Sequence, residues 1–386
     1  MLRKIKWIVF LLLVVAHVSS QNDSAQISFN GQVTAWTVGQ FEDPFAFQLG
    51  GRFVPSLLGD FSLSSKGKID FEASANINGS VNFTGLNFDS ASGQMKPYRV
   101  WMRYAGSNWE LRAGLQKINF GSAKMFRPLM WFDAMDVRDP LQLTDGVYGL
   151  LAKYFFKNNA NVWLWGLIGN NNRKGYEVFA SSQWKPELGG RFQLPAGPGE
   201  MAVSTNFRKM VVPDLLTDVS TANYLLNESR IGIDGKWDVG VGLWFESGII
   251  FTDKNKLEIP SVNAIQDMWN VGMDYTFPMG SGLGMTLEYF RYHTGNEFLV
   301  NGNSINLIGG MFTLPVSISD NLSAMIFYVP DLNLTYNYMS WGRSYDNWSI
   351  YGIAFWNPDV PLAISQPQGK NLFSGKGIQV MVNYNF

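Results

Sequence analysis

The chain has no cysteine, only two histidines and few charged residues, and each scarcity excludes a class of site. Without cysteine there is no disulfide, no thiolate ligand for zinc and no cysteine-linked lipid anchor. Two histidines are too few for a histidine-based metal cluster. Charged residues make up 16% of the chain, against roughly 25% in an average soluble domain. A formal net charge of -1 provides no basic surface for nucleic acid.

Long hydrophobic runs are also missing after the N-terminus. Basic residues within the first six positions precede an apolar run at residues 7–16, which is too short to cross a bilayer as a helix. Val18 and Ser20 have the small side chains that signal peptidase accepts before its cleavage site. The sequence therefore predicts a signal peptide over residues 1–20, cleaved after Ser20, and a single domain over residues 21–386.

What the chain does have is alternation, most clearly in its last ten residues, GIQVMVNYNF. Every even position from Ile378 to Phe386 is apolar or aromatic, and the odd positions are polar or small except for Met381. Period two indicates a strand with one apolar face, which a soluble sheet would also show. The segment resembles the final strand of bacterial outer-membrane β-barrels. That resemblance implies recognition by the barrel-assembly machinery through a strand that ends in Phe386.

Similar alternation recurs along the chain, as in YRVWMRY at 98–104 and WELRAGLQ at 109–116. The charged residues fall on one face, beside Gly, Thr, Asn and Gln, as expected for a water-filled interior. The predicted wall charges are Arg99, Arg103, Glu110, Arg112, Lys153, Arg208, Asp234, Lys236, Glu246 and Glu288. Aromatic residues near strand ends predict girdles at the membrane interfaces. They are Trp101, Tyr104, Trp109, Tyr148, Tyr154, Trp341, Trp348 and Trp356.

These segments predict an all-β fold, a transmembrane antiparallel β-barrel. A spanning strand takes about 9–11 residues, so the chain has room for about 16–18 strands. Short polar connections predict tight turns at one end of the barrel. Long connections are predicted at 120–145, 211–228, 253–266 and 357–375, and connections of this length are usually functional.

The densest group of charged residues lies in the connection at 120–145. Its charged members are Lys124, Arg127, Asp133, Asp136, Arg138, Asp139 and Asp145, interleaved with Met, Phe, Leu and Trp. So many apolar residues must pack on something, which predicts that the loop folds into the barrel. Its charges would then set a transverse field at a constriction. The alternative is a packed loop or plug whose salt bridges are internal and have no role in selectivity.

Two motifs in this region resemble those of alginate-export-type and related substrate-specific outer-membrane porins. The first, R-x-G-x-Q-x-x-x-F-G, spans 112–121, and the second, F-D-x-x-D-x-R, spans 132–138. In those families such a strand leads into a loop that lines the pore. Leu115 occupies a position where their pattern often has a basic residue. The resemblance therefore implies a channel with a lumen loop, and not alginate as the substrate.

The function predicted from these features is passive diffusion of small hydrophilic solutes across a bacterial outer membrane. Neutralising Arg127 and Arg138 together is predicted to shift the selectivity toward cations. The alternatives are a transporter for hydrophobic compounds, and an adhesin or structural barrel. No catalytic motif accompanies His293, for which a loop or interfacial position is predicted, so the chain is not expected to be an enzyme. Neither cofactor nor metal is expected. The expected partners are outer-membrane lipid and the solute.

Overall fold

A computed structural model describes residues 25–41, 43–64, 67–212, 224–253, 263–360, 362 and 373–386. The predicted signal peptide and its cleavage site lie outside these residues. The described residues form eighteen strands. Their bounds are β1 Ala25–Gln40, β2 Ala46–Ser64, β3 Gly67–Thr84, β4 Asn87–Ala105, β5 Trp109–Gln116, β6 Val147–Phe155, β7 Asn161–Leu167, β8 Glu187–Ala196, β9 Gly199–Val212, β10 Tyr224–Asp238, β11 Gly242–Thr252, β12 Ile265–Phe277, β13 Leu283–Gly295, β14 Gly302–Pro315, β15 Asp320–Val329, β16 Leu334–Ser344, β17 Trp348–Trp356 and β18 Lys376–Asn385.

Each strand pairs antiparallel with its neighbours in sequence, and the sheet closes on itself. The closing ladder joins β1 to β18, from Gln32 opposite Asn385 to Gln40 opposite Gly377. The backbones of Gly31 and Phe386 extend it with two further hydrogen bonds of 3.1 and 3.0 Å. This closure confirms the predicted all-β antiparallel barrel, with a strand number at the upper end of the predicted range.

The alternation in the sequence becomes an apolar outer face and a mainly polar inner face. On β4, Val100 and Met102 point outward and are 48% and 57% exposed, while Arg99 and Arg103 point inward. On β18 the residues from Ile378 to Tyr384 alternate as the sequence predicted. An apolar outer face of this extent would be unfavourable in water. The outer surface of the barrel therefore indicates contact with an apolar medium.

The connections differ sharply between the two ends of the barrel. At one end the described turns are short, such as those at 106–108, 197–198 and 316–319. At the other end lie two long described connections, 117–146 and 168–186. A 3-10 turn at Pro330–Leu332 joins β15 to β16 at that same end. Within the described parts of the chain, none of the helical segments has the length and apolar content that a membrane crossing requires.

Several details differ from the sequence prediction. Strands β2, β3 and β4 are 19, 18 and 19 residues long, because they remain paired with one another beyond the rim where β5 ends. Trp101 belongs to no aromatic girdle. It shares the inward face of β4 with Arg99 and Arg103, and its indole Nε1 donates to Glu72 Oε2 at 3.1 Å. The predicted connection at 211–228 is shorter, since β9 runs to Val212 and β10 begins at Tyr224.

Candidate functional site: a loop docked inside the barrel

The connection between β5 and β6, residues 117–146, lies inside the barrel, and we call it the lumen loop. Its apolar side chains are buried, with Phe126, Leu129, Trp131 and Phe132 between 0% and 3% exposed. No hydrophobic core of the usual kind exists within the described barrel wall, because the apolar face points outward. Two buried clusters form instead where the lumen loop packs on inward-facing residues of the wall, and a third forms on β9 and β10 beside Phe179.

Phe126 is the main apolar anchor of the lumen loop. Its ring centroid lies 5.5 Å from that of Phe290 on β13 and 5.5 Å from that of Phe327 on β15. The wall makes room for it at Gly309 on β14, where a Cβ atom would come within 2.8 Å of the phenyl ring. The loop thus crosses the lumen and packs on the wall opposite its own strands, with aromatic contacts that stabilise docking beyond simple burial.

Two inward-facing glutamates bind the backbone of the lumen loop. Glu288 on β13 accepts hydrogen bonds from the N–H groups of residues 124–126, at 2.6 to 3.2 Å. Glu246 on β11 accepts from Ala123 N at 2.8 Å and from Leu129 N at 2.6 Å. Loop N–H groups have no strand partner, so carboxylates facing them satisfy donors that would otherwise be orphaned. The predicted wall charges Glu246 and Glu288 therefore anchor the loop and are buried beneath it.

The two arginines predicted to line the constriction are paired within the loop. Arg127 and Asp133 form a buried ion pair of 3.3 Å, with side chains 5% and 1% exposed. Arg127 also donates to Asn119 Oδ1. Arg138 contacts Asp136 at 2.6 Å and donates to Tyr338 OH at 3.1 Å. Burial alone would lower the pKa of Arg138, but hydrogen bonding to Asp136 raises it above the usual value.

Three further charges predicted in the lumen loop have other partners. Lys124 forms an ion pair with Asp274 on β12. Asp145 contacts Lys96 on β4 at 2.6 Å. Asp139 accepts a hydrogen bond from Leu141 N at 3.0 Å, yet burial raises the pKa of its carboxyl group.

A separate group of predicted wall residues forms a chain of ion pairs on β3 to β6. Arg103 contacts Asp70 at 2.7 Å and Glu110 at 3.1 Å, and Glu110 also contacts Lys153 at 3.1 Å. Arg112 lies over the Trp101 ring, with 4.6 Å between its Cζ atom and the ring centroid. These side chains face the interior near the short-turn end, as the alternation predicted. Arg99 instead binds the end of the lumen loop, donating to Thr144 O at 2.7 Å.

A second inward-folded connection, residues 168–186, was not predicted. Glu177 from this segment contacts Arg208 on β9 at 3.0 Å and Arg230 on β10 at 2.7 Å. Glu228 on β10 bridges the same two arginines at 2.6 and 2.7 Å. Arg208 is thus part of a buried four-charge cluster that fixes this segment to the wall. The apolar residues scattered through 176–184 were the signal that could have revealed it.

The structure also places three other residues that the sequence singled out, namely Asp234, Lys236 and His293. Asp234 accepts from Arg191 on β8 at 2.5 and 2.9 Å and from Ser122 of the lumen loop at 3.2 Å. Lys236 on the same strand is exposed. His293 is neither in a loop nor interfacial. It is buried on β13, and its Nδ1 atom lies 2.6 Å from Asp267 Oδ2, because the two strands align them directly. Among the residues that the structure describes, no group of three or more potential ligands could hold a metal ion.

A polar cavity of about 230 Å³ lies between the lumen loop and the wall of β2 to β4. The wall contributes Arg52, Asn76, Asn78, Gln94, Lys96 and Tyr98, and the loop contributes Ala134, Leu143, Thr144 and Asp145. The two inward-folded segments are fixed mainly to β6 through β16, so the interior is divided unevenly. Its apolar side is packed, and its side at β2 to β4 is polar and open.

No family model and no curated protein matches the chain. Among solved structures it is similar to OccAB2 of Acinetobacter baumannii, with a TM-score of 0.55 and 10% identity over 94% of this chain and 98% of that one. OccAB4 of the same bacterium gives 0.52 and 11%, over 95% of this chain and 100% of that one. An anion-selective porin from Comamonas acidovorans gives 0.49 and 12%, over 94% and 100%. Identities this low show a shared barrel fold alone, so the resemblance to alginate-export porins stays a prediction.

Proposed function

We propose that the protein is an outer-membrane porin through which small hydrophilic solutes diffuse passively. The observation that carries the proposal is the combination of a closed barrel, an apolar outer face and a polar open side of the interior, narrowed by a docked loop. An apolar outer face fits contact with lipid, and a closed sheet leaves no unpaired edge in the hydrocarbon region. Export by a signal peptide and assembly through the strand that ends in Phe386 belong to the same proposal.

In this proposal the lumen loop sets the bore. Solutes pass between the loop and the wall of β2 to β4, where charged and neutral polar side chains meet. The ion pairs of the loop fix its shape, and the exposed parts of Lys124, Asp136 and Asp274 contribute to the field that a solute meets. Passive diffusion requires no conformational cycle, which suits a loop held by several independent anchors.

The test is to reconstitute the mature chain in a planar bilayer and record single-channel current in a salt gradient. Folding is verified beforehand by the shift in electrophoretic mobility that heating produces in intact barrels. Stable ohmic steps are expected, and the sign of the reversal potential reports the selectivity. A folded barrel without conductance would contradict the proposal and direct work to hydrophobic transport or adhesion, the two alternatives predicted from the sequence.

A further inference from the structure

The open side of the interior is lined mainly by uncharged hydrogen-bonding groups. Carboxamides and hydroxyls occupy successive inward positions of β1 to β4 and of β18. They are Gln32, Thr34, Gln48, Asn76, Asn78, Ser80, Asn82, Ser90, Ser92, Gln94 and Asn383. This composition contrasts with the ion pairs that cover the interior elsewhere. The cavity of about 230 Å³ opens onto this strip and offers room for one small solute.

Hydrogen bonds across the strip orient its amides while leaving capacity for a ligand. Asn78 donates to Asn76 Oδ1 at 2.9 Å, and Gln48 donates to Asn82 Oδ1 at 2.8 Å. The side-chain amide of Gln94 makes no hydrogen bond to any described residue, and it is exposed in the cavity. A carboxamide supplies donors and an acceptor side by side. A hydroxyl group of a ligand can accept from the amide N–H and donate to the amide oxygen, whereas a carboxylate can only accept.

The charges that border the cavity largely compensate one another. Lys96 and Asp145 form an ion pair of 2.6 Å. Among the described residues Arg52 has no carboxylate within 4.0 Å, and its buried Nε atom has no hydrogen-bond partner. Asp139 is close enough for the charge of Arg52 to oppose the burial that raises the Asp139 pKa. Arg52 and Lys96 are thus opposed by Asp139 and Asp145, so an anionic ligand gains no net attraction, and the free donors of Arg52 can bind hydroxyl oxygen atoms.

An aromatic surface lies beside these amides. The indole of Trp36 rests against Gly50, where any Cβ atom would collide with the ring, and its Nε1 donates to Gln48 Oε1 at 3.1 Å. Arg52 lies over the same ring, with 5.5 Å between its Cζ atom and the ring centroid. The indole thus fixes Gln48 and Arg52 and does not itself line the cavity, so a ligand would be held through hydrogen bonds to several hydroxyl groups, which a sugar ring offers.

We propose that this strip and cavity form a binding site for an uncharged polyhydroxylated solute, namely a small saccharide. The inference deepens the proposed function, because it names the solute class of the open route. Binding itself, however, does not depend on conduction, so the two ideas are tested separately.

Binding is measured by saturation-transfer NMR on the purified, folded mature chain in detergent, with glucose as the probe and gluconate as the matched anion. Glucose is expected to bind saturably, with gluconate at least about tenfold weaker. Asn78→Leu and Gln94→Leu each remove hydrogen bonds to the sugar and are expected to weaken binding about tenfold. Gln193→Leu changes a carboxamide on β8 that belongs to neither the strip nor the cavity, so it is the control and is expected to leave binding unchanged.

Conductance is recorded on the same preparations, so that failure of the site and failure of the channel can be told apart. The site is overturned by a conducting barrel that does not bind glucose, that binds gluconate as tightly, or that binds glucose equally well in both Leu variants. A silent barrel whose glucose binding depends on Asn78 and Gln94 would support the site and overturn the channel. Gln94 is exposed, so its variant remains informative if Asn78→Leu fails to fold.

Discussion

Replacing Glu288 by Gln should release the lumen loop without opening the barrel. The Glu288 carboxylate accepts hydrogen bonds from the backbone of residues 124–126 and from the side chains of Trp244 and Asn270. One oxygen of Gln becomes an NH₂ group. In either orientation of the amide, this NH₂ group faces at least two donors that it cannot satisfy.

The magnitude follows from the hydrogen bonds that are lost. A hydrogen bond to a charged group contributes about 1.5–3 kcal/mol, so two of them amount to about 3–6 kcal/mol. That weakens loop docking by a factor of about 10²–10⁴. Glu246 still binds Ala123 and Leu129, and all eighteen strands remain paired. We therefore expect local undocking of the loop while the barrel stays folded.

Two assays, single-channel conductance and proteolysis, would detect this undocking in Glu288→Gln. Single-channel conductance should rise or become noisy, because the loop no longer holds one position. Trypsin should cleave after Lys124, because the backbone N–H groups of Lys124 and Met125 are bonded to Glu288 while the loop is docked. Glu200→Gln is the matched control, since Glu200 is an exposed acid at the start of β9 that accepts a hydrogen bond only from Gln193 among the described residues. Unchanged conductance and unchanged proteolysis in a folded Glu288→Gln barrel would refute the anchoring role.

Three further changes test other parts of the loop. A side chain at Gly309 would meet the docked phenyl ring at 2.8 Å, so Gly309→Val should cost about 1–3 kcal/mol of docking. It should also alter conductance, whereas the outward-facing neighbour Gly310→Val should not. Replacing Arg127 and Arg138 together by Gln leaves their carboxylate partners uncompensated, and the reversal potential should shift toward cations; an unshifted potential would argue against a selectivity role. Burial raises the pKa of Asp139 above 3.8, so its contribution to stability is present at acidic pH and lost as pH rises through the raised pKa. Asp139→Asn should abolish this loss as the pH rises above about 4, as measured by urea unfolding midpoints, and an identical pH profile in the variant would count against it.

The sequence alone determined the architecture, because alternation is a local property. A residue two positions along a strand faces the same side, so the apolar set from Ile378 to Phe386 specifies an outer face without any knowledge of its neighbours. The same rule placed Arg103, Glu110 and Lys153 on the inner face. A separate signal, the mixture of charged and apolar side chains at 120–145, indicated that this loop packs inside the barrel.

Only the tertiary structure decided what those residues contact. Glu246 and Glu288 read from the sequence as charges facing water, yet they bind backbone N–H groups more than a hundred residues away in the chain. Arg127 read as a pore-lining charge and is paired inside its own loop. Such partners depend on how a thirty-residue connection crosses a closed barrel and on where glycine leaves room for an aromatic ring. Period-two patterns predict neither the path of the loop nor the glycine that faces the ring. They describe the face of a strand, and not the distance between strands that barrel closure brings together.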